Sequence, residues 1–171
     1  AQKACHKAFP SPARDLRTLL ARLERSPVRV VLGGEKRDAY LSRQLDYYPY
    51  YRTLNTETAP DAKVWLINMR RDTYNLERPY FSDYIFEDWT LKDMVSSSRS
   101  VEELRAKAAS MGIQYILARH DVLLDYSRSV LVDDKKPPAE NEAKLKMARD
   151  LIQDPARTIK SDKRFSLVKV F

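Results

Sequence analysis

The stretch from Ser100 to Ala118 restricts the fold more than any other part of the chain. Ser100-Val101-Glu102-Glu103 has the form of a capping box, in which the serine accepts the amide three residues on while the glutamate side chain reaches back. Leu104, Ala108 and Met111 then fall on one helical face, and Gly112 stands where a helix end needs a left-handed residue. Ile113-Gln114-Tyr115-Ile116-Leu117-Ala118 follows at once and reads as a strand. A helix closed at both ends and joined by one glycine to a strand predicts a helix folded back over a sheet, and hence an α/β architecture.

Other segments extend this pattern. The turn signal Ala59-Pro60-Asp61-Ala62 leads into Lys63-Val64-Trp65-Leu66-Ile67-Asn68, which reads as a buried strand, and Tyr80 to Phe86 reads as a second strand after Pro79. The polar turn Asp133-Asp134-Lys135-Lys136-Pro137-Pro138 precedes a helix over Ala139 to Ile152, which Asp154-Pro155 ends. Phe165 to Phe171 carries apolar residues on both phases and predicts a terminal strand at the sheet edge. Upstream, Val28 to Leu32 is a β-branched run that reads as a strand or extended segment ended by Gly33-Gly34. A helical stretch after Glu35 carries Leu41, Leu45 and Tyr48, breaks at Pro49, and resumes through Tyr50, Tyr51 and Leu54. Ser11-Pro12 opens an amphipathic helix with Leu16, Leu19, Leu20 and Leu23 on one face. The expectation is one α/β domain over residues 28–171, with a small mainly parallel sheet, flanking helices in Rossmann-like layering and a C-terminal edge strand. An amphipathic helix over residues 1–27 is expected to precede it, membrane-proximal in the resemblance given below.

A chain of 171 residues is long enough to bury one core without covalent staples. Its apolar runs stop far short of the roughly 20 residues that cross a bilayer. The N-terminal ten residues lack the apolar core of a signal peptide, which leaves a cytoplasmic protein or a fragment without its targeting segment, and the start at Ala1 without methionine favours the fragment. One cysteine, Cys5, excludes an internal disulfide and a cysteine-based zinc site. The net charge of +7 is unevenly spread: residues 1–37 carry +6, residues 38–134 carry −4 and residues 135–171 carry +5. Basic ends of this kind attract phosphate-rich partners, either lipid headgroups or nucleic acid.

Few residues could carry chemistry. His6 and His120 lie far apart and neither has a second ligand at helical spacing. Gly33-Gly34 lacks the further glycines that bring several amides to one phosphate, and Asp133-Asp134-Lys135 sits in a proline-marked turn. The sequence therefore predicts no catalytic residue, no metal site and no cofactor. The most function-like stretch runs from Arg70 to Tyr80, just past the end of the buried strand, where open α/β sheets bind ligands. Its candidate binding residues are Arg70, Arg71, Tyr74, Arg78 and Tyr80: guanidiniums to hold phosphate or carboxylate, and flat rings to lie on a sugar or a base. Structural duties, with the arginines pairing to Asp72, Glu77 and Asp83, are the competing explanation. Tyr40, Tyr47, Tyr48, Tyr50 and Tyr51 form either an interfacial belt or packing against the sheet.

Several of these motifs together resemble a known family. Leu32-Gly33-Gly34-Glu35 with Asp38-Ala39-Tyr40-Leu41, Asp61-Ala62-Lys63-Val64 with its strand, Tyr74 to Arg78-Pro79-Tyr80, and Gly112-Ile113-Gln114-Tyr115-Ile116-Leu117 look like the soluble C-terminal region of bacterial polytopic membrane glycosyltransferases. Those proteins are related to the dolichyl-phosphate-mannose protein mannosyltransferases and the aminoarabinose lipid A transferases. The resemblance covers about residues 28–120. It implies a non-catalytic accessory domain on the extracytoplasmic, periplasmic face of the inner membrane, held by transmembrane helices that lie outside this sequence. It also implies a parent enzyme that uses a polyprenyl-phosphate sugar donor, with its catalytic acid in an early loop of that membrane portion. The implied partners are the transmembrane portion of the same polypeptide, the anionic membrane surface, and a glycan or lipid-linked sugar near the acceptor site. The alternative is a free-standing nucleotide or nucleic-acid binding module, motivated by the pI near 9.5 and the interleaved arginines and aromatics. A soluble hydrolase ranks last, for want of a nucleophile–base pair.

Overall fold

The computed structural model of the protein describes residues 18–19, 21–23, 26–69, 73–82 and 89–171. The chain divides into two compact units, residues 1–46 and 47–171. In the first, residues 18–19 and 21–23 are helical, α1 spans Val28–Val31 and α2 spans Arg37–Gln44. The helix start expected at Ser11-Pro12 lies outside the described residues.

Val28–Val31 is one helical turn, not the strand that its β-branched residues predict. β-propensity measures how well a side chain fits a pleated, half-buried surface, and no strand among the described residues pairs with this run. Pro27 at the N-cap has the helical φ of −71°, and the turn closes on Gly33, whose φ of +74° is one that glycine adopts without strain. The Gly33 amide donates to the Val30 carbonyl and the Gly34 amide to that of Arg29. An ion pair of 3.1 Å from Arg43 Nη2 to Glu35 Oε2 ties α2 to the segment before it. Neither α1 nor α2 contains a buried residue.

The second unit begins with α3, Tyr48–Glu57. Pro49 starts this helix instead of interrupting one: it lies in the first turn, where its missing N–H has no intrahelical bond to lose. Five strands form one sheet: β1 (Lys63–Ile67), β2 (Tyr80–Ser82), β3 (Ile113–Arg119), β4 (Thr158–Ser161) and β5 (Phe165–Lys169). The order is β2-β1-β3-β5-β4. β1 runs parallel to β2 and β3, whereas β5 is antiparallel to β3 and β4, so the sheet is mixed. The expected C-terminal edge strand is an interior one, because β4 takes the edge. Both phases of β5 are buried, Phe165 and Leu167 on one side and Ser166 and Val168 on the other, which is the signature of a strand covered on both faces. At the opposite edge β2 ends at Ser82, and residues 83–86 of the longer strand expected there lie outside the described residues.

α4 (Trp89–Ser96), α5 (Val101–Ser110), a one-turn α6 (His120–Leu123) and α7 (Pro138–Ile152) complete the unit. One face of the sheet, with Trp65, Ile67, Ile116, Ala118 and Val168, shares a continuous core with Leu91, Leu104, Ala108, Leu145 and Leu151 of α4, α5 and α7. The alternate residues Val64, Leu66, Leu117 and Leu167 are equally buried on the other face, where Tyr50 of α3 lies 5.6 Å from Phe165, centroid to centroid. The α5 termini match the sequence reading. The Glu103 amide donates to Ser100 Oγ at 3.2 Å, the Glu103 carboxylate accepts from the Arg99 amide at 2.9 Å, and Gly112 has φ +76°. Among buried polar groups, Arg105 links α5 to the end of α7, donating to the Asp150 carbonyl at 2.9 Å and pairing with Asp154 Oδ2 at 2.8 Å.

Candidate functional site

The chain leaves β1 at Asn68, whose φ of +53° is a left-handed conformation that asparagine tolerates better than most residues. Its Nδ2 is buried without a hydrogen-bond partner among the described residues. After residues 70–72, which are not described, Thr73 to Leu76 form a tight turn closed by the Leu76 amide on the Thr73 carbonyl at 3.0 Å. Two residues fasten this loop to α3. Asn55 Nδ2 donates to the Asn75 carbonyl at 2.8 Å while its Oδ1 accepts the Glu77 amide at 2.9 Å. Arg78 donates to the carbonyls of Asn55 and Thr58 and to Thr58 Oγ1, so its guanidinium satisfies the bare carbonyls at the end of α3. Leu76 is buried, and the Thr73 and Tyr80 hydroxyls meet at 3.0 Å. On this fastened turn Tyr74 stands 96% exposed.

The sequence placed five residues in one binding cluster, and the structure describes three of them, Tyr74, Arg78 and Tyr80. Arg70 and Arg71 lie outside the described residues. Arg78 and Tyr80 are not past the carboxyl end of β1: the loop returns, and Tyr80 opens β2 opposite Val64, at the amino end of the parallel strands. The Arg78 guanidinium faces backbone carbonyls at the end of α3, a structural duty different from the pairing with Asp72, Glu77 and Asp83 that the sequence offered as a competing explanation. Tyr74 and Tyr80 bracket the loop and remain solvent-accessible. Of the tyrosine belt, Tyr47, Tyr48, Tyr50 and Tyr51 are buried, so packing explains them, whereas Tyr40 is half-buried under the Arg43 guanidinium.

The carboxyl end of β3 holds a polar cluster that the sequence reading missed. Arg119 Nε lies 2.9 Å and Arg164 Nε 3.6 Å from the Asp121 carboxylate, and Arg128 donates to the Asp121 carbonyl at 2.6 Å. Burial works against ionisation of Asp121, yet Arg119 and the charges of Arg164 and Arg128 outweigh it and hold its pKa below the usual carboxylate range. Burial likewise opposes ionisation of Asp162 in the β4–β5 turn. The amides of Arg164 and Phe165, donating at 2.7 and 2.8 Å, outweigh it and lower its pKa. Burial, then the Asp162 carboxylate, push the Tyr50 hydroxyl above its ordinary pKa. His120 Nδ1 stands 3.4 Å from Ser166 Oγ, but Ser166 is wholly buried, so this pair cannot present a nucleophile to a substrate. The cluster joins the end of β3 to the last hairpin. No local motif announces it, since its members are brought together by the pairing of β3 with β5.

Two grooves lie elsewhere. One, of about 490 Å³, runs between α4 and α7 and is lined by Lys92, Lys144, Asp133 and Asp134. Another, of about 670 Å³, follows β4 over the Arg105–Asp154 pair and past the exposed Ile159 and Phe171. Both mix charges of opposite sign, which selects for no single ligand charge. No group of three or more metal-binding side chains occurs among the described residues. No protein-family model matches the chain, and no curated protein matches it.

Proposed function

We propose that this chain is a non-catalytic accessory domain on the extracytoplasmic face of a membrane glycosyltransferase that uses a polyprenyl-phosphate sugar donor, and that it helps to shape the acceptor site. The observation that carries the reading is Tyr74, an almost fully exposed ring on a turn that Asn55 and Arg78 hold in place. An exposed aromatic costs nothing in folding when removed, yet a ring on a stiff loop can lie on the apolar face of a sugar without first being ordered. In this reading Tyr74 contacts the glycan or lipid-linked sugar, Tyr80 extends the contact, and Arg78 positions the loop. The family likeness of residues 28–120 supplies the parent enzyme and the membrane portion as partner. Replacing Tyr74 with alanine in the full-length parent should raise the KM for acceptor roughly tenfold while leaving kcat and the unfolding midpoint unchanged. Unchanged acceptor kinetics in both Tyr74→Ala and Tyr80→Ala would remove the proposal. A salt-dependent gel shift with the isolated chain would replace it with the nucleic-acid alternative.

A further inference from the structure

The first unit places large aliphatic side chains in water and surrounds them with positive charge. Leu19, Leu23 and Val28 are exposed, Val31 is 81% exposed and Leu32 79%. Val28, Val31 and Leu32 stand at the i, i+3, i+4 spacing around α1, so they lie on one side of its turn. Arg29, Lys36 and Arg37 are exposed beside them. Residues 1–46 hold ten lysines and arginines against five acids, a net +5, whereas residues 47–171 hold twenty-one against nineteen, a net +2. Most of the chain's net charge thus belongs to the unit whose apolar side chains are bare. Aliphatic side chains offer no flat face to stack on a base, which weighs against nucleic acid. A unit at +5 repels a second copy of itself, which weighs against self-association. Aliphatic side chains interleaved with basic ones do match an anionic bilayer, where the first enter the acyl boundary and the second meet phosphates.

We propose that residues 26–37 form a surface that binds anionic lipid bilayers directly, with Val28, Val31 and Leu32 inserted and Arg29, Lys36 and Arg37 at the headgroups. This goes beyond the accessory-domain reading, because it asks the isolated chain to bind lipid with no parent enzyme present. The test is flotation of the 171-residue chain with vesicles of phosphatidylcholine alone or with about one-third phosphatidylglycerol, at low and high salt. Binding should require phosphatidylglycerol and weaken with salt. The Val31→Asp/Leu32→Asp variant, whose sites are already in water and whose fold circular dichroism would verify, should lose roughly tenfold or more in partitioning. The Arg29→Glu/Lys36→Glu/Arg37→Glu variant should lose the preference for anionic vesicles. The proposal is overturned by a chain that stays with the soluble fraction, by binding that neither variant weakens, or by an apolar-dependent dimer in place of vesicle binding. A failure here leaves the acceptor kinetics of Tyr74→Ala standing, and flat acceptor kinetics leave the flotation result standing.

Discussion

Two short apolar runs of this chain give nearly the same local signal and meet opposite fates. Val28-Arg29-Val30-Val31 is a helical turn with no buried residue, and Lys63-Val64-Trp65-Leu66-Ile67 is a strand whose last four side chains are fully buried. Intrinsic preference does not separate them, since both are rich in β-branched residues. Partners do: β1 has a parallel neighbour on each side and shares a core with three helices, whereas no strand among the described residues pairs with α1. The contrast extends to the two units. Among the described residues, every buried apolar side chain belongs to residues 47–171, while residues 1–46 contribute exposed aliphatics. Stability should therefore reside in the second unit, and the side chains of the first should be nearly silent in folding.

The sharpest way to break that contrast is at Trp65, which is wholly buried in the shared core and lies 6.3 Å from Phe81, ring to ring. Trp65→Ala should destabilise the protein by about 3–5 kcal/mol, read from the urea midpoint, because the void cannot collapse between a sheet and three helices. Trp65→Phe should cost much less than that. The indole Nε1 is buried with no hydrogen-bond partner among the described residues, so the phenyl ring removes an unsatisfied donor along with some contact area. Equal losses in the two variants would mean that the core relaxes around this position and that the contrast with α1 is smaller than burial implies.

An intermediate effect should appear with pH, through the hairpin that closes the sheet. Asp162 has a folded-state pKa below its unfolded value of about 3.9, so its contribution is complete above that value and is lost as pH falls through the folded pKa. Stability should be flat above about pH 5 and decline below about pH 4, and Asp162→Asn should be less stable than the parent at neutral pH. The two curves should converge toward the acid end, where the carboxylate has become protonated. Midpoints of urea unfolding across a pH series test this, and a gap that stays constant to the lowest pH would place the acid limb on other carboxylates, Asp121 first.

How much of this was legible beforehand follows the same division. Features set by adjacent residues could be read: the Ser100–Glu103 cap, the positive φ of Gly112, and the strand around Trp65. Features set by pairing could not. The terminal position of Phe165 to Phe171 predicts an edge strand, yet the fourth strand, Thr158–Ser161, is too short and polar to announce itself and takes the edge instead. The candidate site divided in the same way. Tyr74 was recognisable as an aromatic just past a buried strand, whereas the use of Arg78 depends on Asn55 and Thr58, about twenty residues upstream, whose carbonyls end a helix and must be met by some donor. The Arg119, Arg128 and Arg164 cluster around Asp121 needed the β3–β5 register before its members could be grouped at all.

The smallest expected effect is the one that best isolates the first unit. Val31→Ala and Leu32→Ala each remove an aliphatic side chain comparable to those in β1, and each should change the unfolding free energy by less than about 0.5 kcal/mol, because the removed surface is in water in both states. The same change at Leu66 of β1 deletes contacts on every side. A loss of more than about 1 kcal/mol at Val31 or Leu32 would show that these side chains contribute to folding, against the near-silence expected of exposed positions. Silence in folding combined with a loss of vesicle binding in the aspartate variants would show that their exposure serves a surface outside the protein and not its own core.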